Sequence, residues 1–89
     1  MDALLDRYQE VTRAALEMAH KAPRKDSRAA EVLDMAQRYY DDAQYFLGNG
    51  DKARALAALS YAHGWLDCGA RLGLYVVKDD KLFTVDAEK

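Results

Sequence analysis

AQYFLGNGDKARAL, residues 43–56, decides the fold. An apolar run breaks at two glycines flanking an asparagine, and an aspartate follows that can cap a new helix. Gly48 is well placed for the left-handed residue that ends the first helix. Asp51 is the natural cap of the second, after a two-residue Asn49-Gly50 link. So short a link forces the flanking helices to lie antiparallel as neighbours.

Upstream, Ala29, Leu33, Ala36, Tyr40, Ala43 and Leu47 recur at alternating steps of four and three. That spacing draws one apolar stripe on a helix over about 27–47. Asp26 or Ser27 can cap its start, and Asp34 with Arg38 makes an i,i+4 pair on the wet side. Downstream, Leu56, Leu59, His63, Leu66 and Ala70 form the main stripe of a third helix over about 51–72. Gly73 stops it, and Leu74 folds apolar surface back.

The only proline, Pro23, separates these from an N-terminal helix over about 2–21. Its expected stripe is Leu4, Tyr8, Val11, Ala15, Met18 and Ala22. Asp2 and Asp6 suit its positive N-terminal end, and His20 and Lys21 its negative C-terminal end. After Gly73, LYVV and LFTV flank KDDK, which predicts a short extended segment or β-hairpin over 74–85 laid on the bundle. The pattern is an all-α three-helix bundle, one domain over 1–89, without internal repeats or low-complexity segments.

Composition narrows the function classes. At 89 residues, 51% hydrophobic and 31% charged, the chain can pack a lean core and keep a wet surface. A net charge of -2 offers no global attraction to a phosphate backbone or an anionic membrane. No run approaches the roughly 18 apolar residues that span a bilayer, and acids stand where a secretory signal carries a positive run. Cys68 is alone, so no intrachain disulfide is available. These features predict a cytoplasmic protein in a reducing compartment.

The run YYDDAQYFLGNGDKARALAALSYAHGWLDCGARLGL, residues 39–74, resembles an archaeal family of small helical domains, the domain-of-unknown-function family three-five-seven. The resemblance is carried by Tyr45-Phe46-Leu47, Gly50-Asp51, Arg54-Ala55, the block from Ala58 to Asp67, and Gly69, Arg71, Leu72, Gly73 and Leu74. LFTV near the end also fits. It covers the C-terminal half to two-thirds of the chain. It implies a left-handed, up-and-down three-helix bundle and an archaeal source, and no activity. Cys68 stands where the family pattern has a small residue such as alanine.

Helix three carries two apolar sides. Opposite its main stripe lie Ala58, Tyr61, Trp65, Cys68 and Leu72, with Ser60, Asp67 and Arg71 as a polar wedge between. The second side must be covered by the tail, by helix one or by another chain. Ala57 and Gly64 share a face and permit close packing. Tyr39, Tyr40, Tyr45, Tyr61, Tyr75 and Trp65 are many large rings for so thin a core, and surface aromatics are enriched in binding patches.

Three functional readings follow. The leading one is a non-catalytic protein-interaction or accessory module. It acts through Tyr61 and Trp65, with Tyr40 and Tyr45 as secondary contacts, on a protein partner or a second copy of itself. It calls for no cofactor, no metal and no catalytic residue.

The second is a metal-binding or enzymatic domain centred on His63 and Asp67. Zinc needs at least three protein ligands, and two residues one turn apart supply only two. Ser60, His63 and Asp67 are triad residue types, but all sit on one helix without a sharp turn or an oxyanion loop. His63 reads more simply as a hydrogen-bonded core histidine. The third reading is weak RNA or nucleotide binding through the basic loop 21–28, with Lys21, Arg24, Lys25 and Arg28.

Overall fold

The computed structural model describes residues 2–21 and 26–75. They form three helices, α1 (Asp2–Lys21), α2 (Ser27–Gly48) and α3 (Lys52–Arg71), with no strand among the described residues. The protein is an all-α three-helix bundle. The expected extended segment or hairpin over 74–85 falls, from residue 76 onward, outside the described residues, as does the loop at 22–25.

Each terminus is set by local chemistry. Asp26 caps α2 by accepting from the Arg28 amide at 2.9 Å, and Asp51 caps α3 by accepting from the Arg54 amide at 3.1 Å. The left-handed residue after α2 is Gly50, at φ +73°, and not Gly48, which continues the helix. The Gly50 amide donates to the Leu47 carbonyl at 3.1 Å and the Asp51 amide to the Phe46 carbonyl at 2.9 Å. That bond pattern places the reversal two residues later than the first glycine suggests. The same closure recurs at Gly73, φ +72°, where the Leu74 amide donates to the Gly69 carbonyl at 2.9 Å.

The short link lays α2 and α3 antiparallel along most of their length, and α1 packs on this hairpin mainly through α3. The core has two ends. One gathers Leu16, Ala19, Val32, Leu33, Leu66, Leu74 and Tyr75; the other gathers Leu5, Ala43, Ala55 and Leu59. Tyr40 packs against both. Leu59 and Leu66 are fully enclosed, and each contributes about 1.5–3 kcal/mol by leaving water.

The stripe of α1 differs from the expected one. Leu4 and Tyr8 face solvent, at 47% and 40% exposure, while Leu5, Thr12, Ala15, Leu16 and Ala19 are buried. The buried line is rotated by about one residue. Reading apolar letters alone skips Thr12, whose hydroxyl finds a partner inside. The small Ala15 and Ala19 then let α1 come close to the hairpin.

Between the two apolar ends lies a polar belt. The Gln9 amide donates to Gln44 Oε1 at 2.7 Å, and the Gln44 amide returns a bond to Gln9 Oε1 at 2.9 Å. Gln9 Nε2 also reaches the Tyr40 hydroxyl at 3.4 Å. Thr12 Oγ1 lies 3.4 Å from His63 Nδ1. Among the described residues no buried side-chain polar atom lacks a partner, so the belt is satisfied and not a defect.

Candidate functional site

The two sides of α3 are used differently. The main stripe, with Leu59, Ala62 and Leu66, is enclosed by α1 and α2. On the second side Ala58 is buried, while Trp65 is half-buried and packs against the core. Tyr61, Cys68 and Leu72 are exposed.

Tyr61 is 63% exposed but not loose. Its ring stacks on Tyr39 of α2, with centroids 5.3 Å apart and planes 24° from parallel. Such a pair holds a large apolar ring at the surface in one orientation. Two hollows flank it. Ser60, Tyr61, Gly64, Trp65 and Cys68 line one of about 320 Å³. The other, about 190 Å³, lies between the helices with Tyr39, Asp42, Phe46 and Ala57 on its walls.

The hollow beside Trp65 exists because residue 64 lacks a side chain. A Cβ at Gly64 would meet nothing within 4 Å, so no packing inside the described chain accounts for a glycine in mid-helix. The expectation that Ala57 and Gly64 admit a neighbouring helix is not met by α1 or α2, since both residues are exposed. Gly69 is the opposite case. A Cβ there would come 2.7 Å from Tyr75 Cζ, because the Tyr75 ring lies across the helix backbone at that point.

Of the other aromatic candidates, Tyr45 is 68% exposed and meets Phe46 edge to face at 5.7 Å. It does not join the Tyr39–Tyr61 pair. Tyr40 is mostly inside, between the two halves of the core, and burial raises its phenol pKa above the usual value. Tyr61 and Trp65 are therefore the pair the fold brings together. Tyr39 was missed as their support, although Tyr39 and Tyr61 stand 11 positions either side of Gly50 on the two antiparallel helices.

His63 sits half-buried on the side of α3 that meets α1. Its Nδ1 faces the Thr12 hydroxyl, and its Nε2 lies 3.7 Å from Asp67 Oδ1 one turn along. Among the described residues no three His, Cys, Asp or Glu side chains converge as a metal site. Ser60 Oγ donates to the Leu56 carbonyl at 3.0 Å, so its proton is directed into its own helix and not toward His63. Thr12, which faces His63, and Gln9 and Gln44, which pair across α1 and α2, were not singled out from the sequence. Their positions one turn from core residues were the available signal.

In the basic loop, Arg24 and Lys25 lie outside the described residues. Lys21 Nζ meets Glu17 at 3.3 Å, and Arg28 Nη2 meets Asp26 at 2.7 Å. The Arg28 guanidinium holds the Asp26 carboxyl well down, at about 2. No described helix is long and apolar enough to cross a membrane.

A family model described as a protein of unknown function (DUF357) matches residues 7–75. The match takes in most of α1 as well as the 39–74 run. No curated protein and no solved structure matches the chain.

Proposed function

The chain belongs to the DUF357 family, and from its geometry we propose that it is a non-catalytic protein-interaction module docking through the outer side of the α2–α3 hairpin. Tyr61 and Trp65 are the anchors. Tyr45 is an outlying contact, and Tyr40 acts from within as a support.

The observation that carries this reading is the stacked, exposed Tyr61 beside a hollow floored by Gly64. An oriented aromatic next to a concavity is the usual form of an interface anchor. A mid-helix glycine costs about 1 kcal/mol relative to alanine, and an occupant of the hollow would offset that cost. His63 is occupied with Thr12 and Asp67 in holding α1 to α3, which accounts for it without chemistry. The lone exposed thiol of Cys68 suits a reducing, cytoplasmic setting.

The test is site-specific photo-cross-linking in native cells. A cross-linker at residue 61 should trap a defined protein, and Trp65→Ala should abolish the adduct. A cross-linker at residue 17, on the far side of α1, should not trap it. Equal trapping at both positions, or trapping indifferent to Trp65, rejects the docking face.

A further inference from the structure

Tyr75 is the last described residue, and it is fixed on α3. Its ring crosses the backbone at Gly69, its hydroxyl donates to the Leu66 carbonyl, and it is only 2% exposed. Trp65, one turn before Gly69, packs against the same end of the core. Residues 76–89 therefore set out from a buried anchor beside one lane of α3.

That lane is Trp65, Cys68 and Leu72, three and then four residues apart on one side of the helix. Trp65 is half-buried, Cys68 is exposed and Leu72 is 54% exposed, so α1 and α2 leave the lane open. From Leu72 to Trp65 it runs about 10 Å along the axis. Residues 76–85 reach about 30 Å when extended, enough to cover it. They carry Val76, Val77, Leu82, Phe83 and Val85, apolar groups that so short a chain gains by burying.

We infer that residues 76–85 turn back along α3 and cover Trp65, Cys68 and Leu72 as an intramolecular strap. Tethering favours this occupant over any other. A segment joined to Tyr75 meets the lane at an effective concentration in the millimolar range, which a separate molecule would have to match. A second copy would also need about 800 Å² of surface on each side for a stable contact, and three side chains offer far less. The other large hollow at this end, about 480 Å³, has Ala29, Ala30 and Leu33 on its walls with His20 at its edge. It lies between α1 and α2, whereas Tyr75 is anchored on α3.

The strap also regulates binding, a role that rests on the docking reading above. Trp65 belongs both to the lane and to the docking face, so a partner seating on its indole must displace the strap. Tyr61 and Gly64 lie further back along α3 and stay open.

The experiment uses the full chain, in which Cys68 is the one thiol and Trp65 the one tryptophan. Alkylation by iodoacetamide, followed by mass, reads Cys68, and indole emission reads Trp65. Phe83→Ser and Val77→Ser should each speed alkylation, the former by about tenfold, and shift the emission to the red. Asp80→Ser, a polar change in the same segment, should do neither. Nuclear Overhauser contacts should join the Trp65 indole to methyls of Val77 or Leu82. Circular dichroism checks that the variants keep their helices.

Alkylation that ignores Phe83→Ser, or contacts from this segment to Ala30 or Gln37 in place of Trp65, would overturn the inference. So would protection of Cys68 that fades on dilution, since a second copy would then be the cover. If Cys68 is unprotected while trapping at residue 61 still depends on Trp65, only the strap falls. If the strap's contacts hold while trapping ignores Trp65→Ala, the docking face falls and the strap remains.

Discussion

The ring of Tyr75 rests on the backbone of Gly69, and its hydroxyl donates to the carbonyl of Leu66. Four residues after α3 ends, the chain has folded back and closed one end of the core. The Gly73 reversal makes this possible, and the missing side chain at Gly69 makes room for it.

Gly69→Ala should therefore destabilise the protein although alanine is the better helix former. The added methyl would push against the Tyr75 ring and displace it, at an expected net loss of about 1–3 kcal/mol in urea unfolding. A variant as stable as the parent would show that Tyr75 does not need that closeness.

Gly64→Ala should do the reverse. With open space around the new methyl, the helix gains about 1 kcal/mol. Chemical denaturation checks this directly. A loss of stability would mean that something already fills the hollow beside Trp65.

Alkaline pH probes Tyr75. Burial, with Asp67 and Cys68 nearby, raises its phenol pKa above the unfolded value of 10.0. Below that pH both states hold the proton and stability is unaffected. As pH rises past it, the unfolded state ionises first, so stability falls. Tyr75→Phe should flatten the decline above pH 10, read from unfolding midpoints against pH.

Acid pH probes the start of α2. Asp26 is lowered from 3.8 to about 2, chiefly by the Arg28 side chain and then by the capping bond to the Arg28 amide. A lowered carboxyl stabilises the fold above its unfolded pKa, and that contribution fades as pH falls through the window from 3.8 to about 2. Asp26→Asn, which keeps a cap without the charge, should show a shallower loss of melting temperature across that window. An unchanged slope would remove Asp26 from the acid response.

Thr12→Val tests the belt. It keeps shape but removes the hydroxyl that faces His63 Nδ1 across the α1–α3 contact, and should cost about 1–3 kcal/mol. Pairing it with His63→Leu should recover part of that loss in a double-mutant cycle, because no polar atom is then left alone. Strict additivity would mean the two groups do not interact.

The sequence by itself determined three helices and nearly their ends. Glycine, aspartate and proline act within a few residues through backbone torsion and capping, and such local forces are written locally. Even so, Gly48 was read as the residue that reverses the chain, and the reversal is at Gly50. The closing bonds to Leu47 and Phe46 set it there.

Tertiary structure decided which face of each helix turned inward. On α1 two stripes were available, and the buried one includes Thr12 because His63 of α3 stood opposite to satisfy it. Gln9 and Gln44 found each other for the same reason, 35 residues apart. The proposed docking surface depends on tertiary structure as well. Tyr61 was legible as an exposed ring, but its stacking on Tyr39 and the hollow beside Asp42 arise only where two helices meet side by side. Burial and pairing depend on what the rest of the chain brings to a face, and no single helix's spacing carries that information.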